Sequence, residues 1–390
     1  MGEFKPQELS NTAWAFATRS VAGFGENLLG AIAAKLASDL GGFAPESLSI
    51  ATLAQRASDT VGAVWALSFA GRLDGALVMA AREALARIGR ALDEEACRCG
   101  HRATADVVTI AGASIQSGGG DAAEPHFAMD LPDRLVLRKP PGWEVERTTG
   151  AKAAAAVEVA TGSRQIVAYL WAHFPARSYP IAYDHRHHYG LLHRLDVPSS
   201  GLVLAAKSYE AYYDLLLQLS TGELLRDYVV LCHGWWPLPR GDVRARLLGG
   251  HGLDAEASIV HERRGKPSHT WLRALAHCLA PGQGPLRGGS GEGVAVTFLA
   301  VRIATGRRHQ IRVHTAYVGH PTVCDGKYTA RAVFVADLAW CPRNFLHRCR
   351  LAFRDAGAAP REAVQRLPAD LALALEALTP RDPGSAKEWS

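Results

Sequence analysis

Through the first hundred residues, apolar positions recur at three- and four-residue spacing with few β-branched runs, the period of helices buried along one face. Phe4-Lys5-Pro6-Gln7-Glu8-Leu9-Ser10 returns as Phe43-Ala44-Pro45-Glu46-Ser47-Leu48-Ser49. In each copy Pro stands where a helix would start, a position where its missing N–H costs nothing. An Ala-rich second helix follows each time, Leu28–Leu40 and then Ala76–Leu92. The pattern predicts an all-α helical-repeat segment over residues 1–96. Over residues 97–129 it dissolves into Gly, Ala, Ser and Asp, which reads as a flexible linker. Residues 130–379 then mix short strands with helices, and 380–390 form a tail. Strands are expected at Arg134–Lys139, Gly201–Ala206 and Tyr228–Cys232, with a long hairpin of His269–Leu279 and Val294–Thr305 around the glycine-rich loop Pro281–Gly293. Ser208 is placed to cap a helix running to Leu219 and stopped by Gly222, and Arg308–Val318 has helical spacing before Gly319-His320-Pro321. The expected architecture is α+β, with a mixed, mainly antiparallel sheet and a central basic cleft, preceded by the all-α segment.

Composition narrows this only a little. The 390 residues have room for two domains, and with 48% apolar residues a packed core is within reach. A formal charge of +5 is compatible with a polyanionic partner without requiring one. The seven cysteines are odd in number and scattered, which points to a reducing compartment instead of a disulfide framework. Cys97-Arg98-Cys99-Gly100-His101 lacks a second pair at zinc-finger spacing, so its cysteines read as structural or linker residues. No stretch approaches the ~20 apolar residues of a membrane span. The expectation is an intracellular monomer without membrane contact, with cytoplasm, mitochondrion and plastid left open.

Two blocks carry the candidate chemistry. His193-Arg194-Leu195-Asp196-Val197-Pro198-Ser199-Ser200-Gly201-Leu202 holds one acid, and Thr305-Gly306-Arg307-Arg308-His309-Gln310-Ile311-Arg312-Val313-His314 holds basic and amide side chains, with no acid from Val301 to Cys324. A carboxylate in a desolvated pocket keeps its charge only with a cation beside it. Together the blocks predict a pocket in which one carboxylate faces arginines; taken by itself, a buried Asp such as Asp196 more commonly serves a structural salt bridge. Both blocks resemble motifs of the RluA-type RNA pseudouridine synthases. Leu137–Trp143, Arg226–Gly234, Gly319–Tyr328 and Phe345–Leu351 are similar to further motifs of that family, in the same order. Arg138 stands at the family's Asn, Arg226 at its Lys and Cys324 at a usual Gly.

The resemblance spans roughly residues 130–375. It implies an enzyme without cofactor or metal, acting on rRNA, tRNA or mRNA. Asp196 would be its catalytic carboxylate, Arg312 the counter-charge and Tyr228 the aromatic residue beside the target base, although a core tyrosine is the alternative for Tyr228. Arg194 matches a residue near the space vacated by a flipped base. Lys139, Arg307 and His309 are candidates for phosphate contact or scaffold support, and Gln310 and Ile311 complete the substrate-side motif. On a continuous helix Arg308 and Arg312 would lie one turn apart on one face, with Arg308 left to phosphate or solvent. Glu8–Ala17 resembles octotricopeptide-type RNA-binding repeats; a packing module without RNA contacts is the competing reading. Asp184-His185-Arg186-His187-His188 is taken as an RNA-facing loop, with a His-metal hydrolase as a rival reading of the protein. An RNA-binding protein that keeps the fold but has lost catalysis is the other.

Overall fold

Four helices open the chain: α1 (Pro6–Arg19), α2 (Gly25–Gly41), α3 (Ile50–Phe69) and α4 (Gly75–Gly100). The computed structural model describes residues 4–19, 25–45, 48–100, 124–145, 164–237, 240–249, 257–281 and 293–387. Glu46 and Ser47 of the second repeat copy, residues 101–123 of the expected linker and residues 282–292 of the glycine-rich loop lie outside this range. Ser49 accepts the Thr52 N–H at 3.2 Å and caps α3, whose buried Leu53, Ala57, Thr60, Val64 and Leu67 keep helical spacing. The linker expectation needs correcting at both ends. Helix α4 continues to Gly100, with Glu95 and Arg98 paired one turn apart at 3.0 Å. Strand β1 (His126–Asp130) is already hydrogen-bonded to β2 (Arg134–Lys139).

The remaining strands are β3 (Trp143–Glu144), β4 (Arg164–Gln165), β5 (Ser200–Ala206), β6 (Leu225–His233), β7 (Arg240–Gly249), β8 (Ser258–Val260), β9 (Lys266–Ala280), β10 (Val294–Ile303), β11 (Leu346–Arg354), β12 (Pro360–Val364) and β13 (Thr379–Pro380). Eleven form one sheet in the order β1-β2-β5-β11-β6-β10-β9-β7-β8, with β12 added on β11 and β13 on β9. Its pairings are antiparallel except β5 with β11, so the mixed, mainly antiparallel sheet is present as expected. Strands β3 and β4 make a separate parallel pair. The helices after β4 are α5 (Ile166–His173), α6 (Tyr209–Thr221), α7 (Gln310–Tyr317), α8 (Arg331–Asp337), α9 (Ala369–Glu376) and α10 (Pro383–Lys387). Helix α6 has the expected ends: Ser208 accepts the Ala211 N–H at 3.1 Å, and Gly222 stops it at φ 83°. Among the described residues no helix is long and apolar enough to cross a membrane.

Side-chain alternation on the central strands divides two cores. On β5, Leu202, Leu204 and Ala206 face one core, while Val203 and Ala205 face the other. The first of these cores is shared with the N-terminal helices: Leu9, Leu53 and Leu85 belong to the same cluster as Tyr212 and Leu215 of α6 and Leu351 of β11. The expected units 1–96 and 130–379 are therefore not separate in packing. Helix α4 lies along α6, where Asp93 accepts the Tyr209 and Glu210 N–H groups at 2.8 and 3.1 Å. Arg82 reaches Asp214 at 3.0 Å and Glu223 at 3.1 Å, and Asp214 also receives the buried Arg134 of β2 at 2.9 Å.

A Cβ at Gly89 would run into the backbone of Glu210, so Gly89 is what lets α4 approach α6 so closely. Gly89→Leu should push the helices apart and cost about 1–3 kcal/mol, as overpacking does. Thermal melting checks this: the substituted chain should unfold at a lower temperature, and an unchanged midpoint would show that the two helices do not meet at this glycine.

Candidate active site

Asp196 sits on the turn that feeds β5. Its carbonyl accepts the Ser199 N–H at 3.0 Å, and the Val197 carbonyl accepts the Gly142 N–H at 2.9 Å. Lys139, at the end of β2, donates to the carbonyls of Pro140 (3.0 Å), Val197 (3.2 Å) and Ser199 (2.7 Å). Arg343 adds a bond to the Pro198 carbonyl at 3.1 Å. At Gly201 (φ 130°) a Cβ would meet the Arg348 backbone, so glycine is what permits β5 and β11 to close beneath the turn. Of the two roles expected of Lys139, phosphate contact and scaffold support, its contacts are those of the second: it is fully buried and holds the acid's loop through three carbonyls. Burial, reinforced by Arg343, lowers its ammonium to about 7.

The acid's counter-charge comes from α7. Arg312 donates Nη1 to Asp196 Oδ2 at 2.8 Å, and its other edge forks onto Asp325 through Nε and Nη2, both at 2.7 Å. Asp325 also accepts from the Thr322 hydroxyl at 2.9 Å and the Lys327 N–H at 3.0 Å. Burial pushes the Asp325 carboxyl up, but Arg312 outweighs it and holds the group below the usual range. The side chain of Arg312 is 6% exposed and that of Asp196 15%, so Asp196 is the member of this triad that opens outward.

Helix α7 starts at Gln310, which corrects the expected helix over Arg308–Val318. His309 adopts φ 54°, in the left-handed region, so Arg308 precedes the helix and does not share a face with Arg312. The cause is Gln310. Its Oε1 accepts from the Thr305 hydroxyl (2.7 Å) and the Arg307 N–H (3.0 Å), while Nε2 donates to the His269 carbonyl and Thr270 hydroxyl, both at 3.0 Å. Buried in this way, Gln310 shapes the loop and is not free to meet substrate. Ile311 forms apolar wall. His309 places Nε2 3.9 Å from Asp196 Oδ1 and Nδ1 2.9 Å from the Tyr328 hydroxyl. Burial lowers its imidazole to about 4 despite Asp196, so it is neutral near pH 7.

Tyr228, on β6, lies on the same cleft. Arg348 of β11 donates two N–H groups to its hydroxyl, Nε at 2.9 Å and Nη2 closer still. Arg348 is 1% exposed and also reaches His193 Nδ1 (2.6 Å) and the Leu202 carbonyl (2.9 Å). With both lone pairs of Tyr228 engaged, the phenolic hydrogen is left to point elsewhere. Neither Arg348 nor Asp325 was a sequence candidate. Each falls inside a motif already noted, Phe345–Leu351 and Gly319–Tyr328, but no spacing rule says which side chain turns inward. Arg226 is buried too, donating to the Ile303 and Ala304 carbonyls at 3.3 and 3.1 Å.

These groups enclose a cavity of about 570 Å³ whose lining holds one carboxylate, Asp196, among Arg194, Arg226, Arg307, Arg308, Arg312 and Arg348. Arg194 is exposed. Arg307 donates to the Pro267 carbonyl at 3.2 Å, and its guanidinium lies 5.4 Å from the ring centroid of Trp65 on α3. In the His185–His188 run only His187 departs from the expected outward-facing loop; His185, Arg186 and His188 are exposed, and His188 lines the Asp196 pocket. His187 is buried, with Nδ1 2.7 Å from Asp184 and Nε2 2.8 Å from the Tyr213 hydroxyl. Among the described residues no group of three or more His, Cys, Asp or Glu converges as metal ligands would.

Comparison with known proteins reaches part of this geometry. Residues 133–317 match the sequence model of the family described as RNA pseudouridylate synthase. That segment is similar to this family over a little less than half of the chain. Three relatives named ribosomal large subunit pseudouridine synthase C agree with it. The protein of Buchnera aphidicola is 31% identical over 141 residues, 36% of this chain and 40% of the relative. That of Haemophilus ducreyi is 34% identical over 165 residues, 42% of this chain and 47% of the relative. That of Escherichia coli is 33% identical over 171 residues, 43% and 49% respectively. The chain thus spans less than half the length of these curated relatives. Among solved structures, human RNA pseudouridylate synthase domain containing 1 superposes with a TM-score of 0.47 and 21% identity, covering 67% of this chain and 91% of that one. The matched segment contains Asp196, Tyr228 and Arg312, whereas α1–α4, Asp325 and Arg348 lie outside it.

Two outcomes test this arrangement. Removing Arg312 as Arg312→Ala would leave Asp325 buried without its cation, a loss of about 3–5 kcal/mol for a broken buried pair. Denaturant melts should show that loss, while Arg308→Ala stays near the parent; the reverse order would sink the α7 assignment. The second concerns pH. Burial holds His309, His314 and His347 at about 4, against 6.5 for a free imidazole. Between those values the unfolded chain binds protons that the folded chain refuses, so stability should fall as pH drops from 6.5 toward 4. A melting temperature that stays flat across that window would contradict the buried, neutral histidines.

Proposed function

We propose that this chain is an RNA pseudouridine synthase, which isomerises uridine to pseudouridine with Asp196 as its catalytic carboxylate. The observation that carries the reading is one outward-facing carboxylate, clamped from behind by Arg312 and Asp325, in a pocket otherwise lined by arginines. The reaction breaks the bond between N1 and C1′, turns the uracil and joins C1′ to C5; the proton leaving C5 is balanced by the one gained at N1. It needs a flipped nucleotide, a carboxylate beside the ribose, and a surface that keeps the detached base. Arginines attract the phosphates on either side. Asp196 stands where the ribose would arrive, and Tyr228 offers a ring for the uracil with its hydroxyl oriented by Arg348. Arg194 would fill the gap left by the flipped base. Large-subunit ribosomal RNA is the first substrate to try, because the relatives carry that name.

Asp196→Asn keeps the size and removes the charge. We expect isomerisation to fall by at least about a hundredfold, the scale of a lost general acid or base, with RNA binding retained. Single-turnover conversion of uridine in a ribosomal RNA transcript measures it. Near-normal turnover by Asp196→Asn would remove the assignment, and parallel metal analysis of the active protein separates it from hydrolase chemistry.

A further inference from the structure

The Asp196 pocket opens into a second, larger groove of about 1780 Å³. The two spaces share Trp65, Leu219, Ser220, Tyr228 and Ile303–Thr305 in their linings, so they are continuous. One wall of the groove is α1 and α3, outside the matched segment, and the other is the outer face of β6, β10, β9 and β7.

We propose that this groove binds single-stranded RNA flanking the target uridine, with bases stacked on Trp65, Phe69 and Trp271 and phosphates held by Arg240 and Arg273. The inference rests on the reading of the chain as an RNA-modifying enzyme and extends it to the N-terminal helices. Charge is the first argument. Seven arginines line the groove against two carboxylates, Asp227 and Glu262, and Asp227 is already engaged by Arg302 at 2.6 Å and Arg350 at 2.8 Å. Arg240 on β7 lies directly opposite Arg273 on β9. Like charges facing each other across an antiparallel pair destabilise a sheet. Both side chains are exposed, and neither has an ion pair among the described residues. Among the described residues no carboxylate offsets this juxtaposition; a phosphate between the two guanidinium groups would.

The aromatic residues identify the strand as single. Phe69 and Trp271 are 38% and 42% exposed, large apolar side chains left in water on opposite walls. Trp65 stacks on Phe69 at 5.2 Å, interplanar angle 19°, and Trp271 lies 4.1 Å from His269, so each wall presents a pair of rings. Bases in a duplex have no free face to offer such rings, whereas unpaired bases do. Arg307, which also lines the Asp196 pocket, lies over the Trp65 ring, so the platform on α3 is held to the loop that precedes α7. Alternating rings and guanidinium groups match alternating bases and phosphates better than they match an acidic peptide, which has charge without flat faces.

The test uses the full-length chain and a fluorescein-labelled oligouridylate of about twenty nucleotides, long enough to cover one such groove. Phe69→Ala and Trp271→Ala should each weaken binding roughly tenfold, the scale of one lost stacking contact. Arg240→Ala combined with Arg273→Ala should reduce the slope of log affinity against log salt by about 1.4, since a single-strand phosphate contact contributes about 0.7. Ultraviolet cross-linking of a 4-thiouridine version of the oligonucleotide should mark peptides from α3 and β9. Unchanged affinity and slope in variants that melt like the parent would overturn the proposal. So would equal affinity for the adenylate–uridylate duplex, or displacement of the oligonucleotide by poly-glutamate at the same charge concentration. Binding is read here without turnover, and conversion by the parent chain is read separately. Groove binding without any pseudouridine formation would defeat the proposed activity alone, and turnover that persists with groove variants binding normally would defeat the groove alone.

Discussion

The structure around the cleft depends on one guanidinium shared by two carboxylates. Arg312 gives its forked edge to Asp325, which is almost fully buried, and a single N–H to Asp196. A bidentate pair in a dry environment is directional, so Asp325 sets the plane of Arg312 and Arg312 in turn sets the position of Asp196. Without Asp325 the guanidinium would be free to turn; without Arg312 the acid would face solvent and arginines with no fixed geometry. Two further features serve the same end. The Gln310 bonds start α7 at the position that aims Arg312 into the cleft, and the Lys139 ammonium ties together the turn that presents Asp196.

Electrostatics give the site its character. Arg226, Arg348 and Lys139 are buried with mainly backbone carbonyls, a tyrosine hydroxyl and a neutral histidine as partners. Burying cations without matching carboxylates is costly, and burial lowers the Arg226 guanidinium to about 10. Such an arrangement stores a positive potential that an incoming polyanion relieves, and it leaves Asp196 as the one negative group at the floor. The basic composition spread over the whole chain is modest by comparison; what matters is that Arg226 and Arg348, which have no carboxylate partner among the described residues, converge here in the lining of the Asp196 pocket.

The helical segment belongs to this same arrangement. Its first helices share a core with α6 and β5, Asp93 supplies acceptors for the start of α6, and Trp65 receives Arg307 from the loop that precedes α7. Small residues at the crossing, Gly89 above all, bring α4 close enough for these contacts. A segment packed so directly positions a wall of the cleft, a role that a tethered array on a loose linker could not perform.

Local chemistry was legible in the amino-acid order because it acts locally. The Ser208 cap and Gly222 stop, the alternation on β2, the apolar run of β5 and the isolation of one acid among basic residues all follow from backbone hydrogen bonding and side-chain periodicity within a few residues. Cys324 shows the limit of that reading: it occupies φ 55°, a conformation that favours glycine, because its N–H is drawn to Asp337 at 2.7 Å. Tertiary structure alone decided that Asp325 and Arg348 turn inward, that Lys139 and Gln310 are buried on backbone and side-chain partners, that Arg308 leaves the helix, and that α3 faces the sheet across a groove. The partners lie beyond the reach of local pattern, from Arg312 and Asp325 13 residues apart to His193 and Arg348 155 residues apart, and burial settles the competition among them: a polar side chain removed from water must find its hydrogen bonds wherever the packed chain brings them.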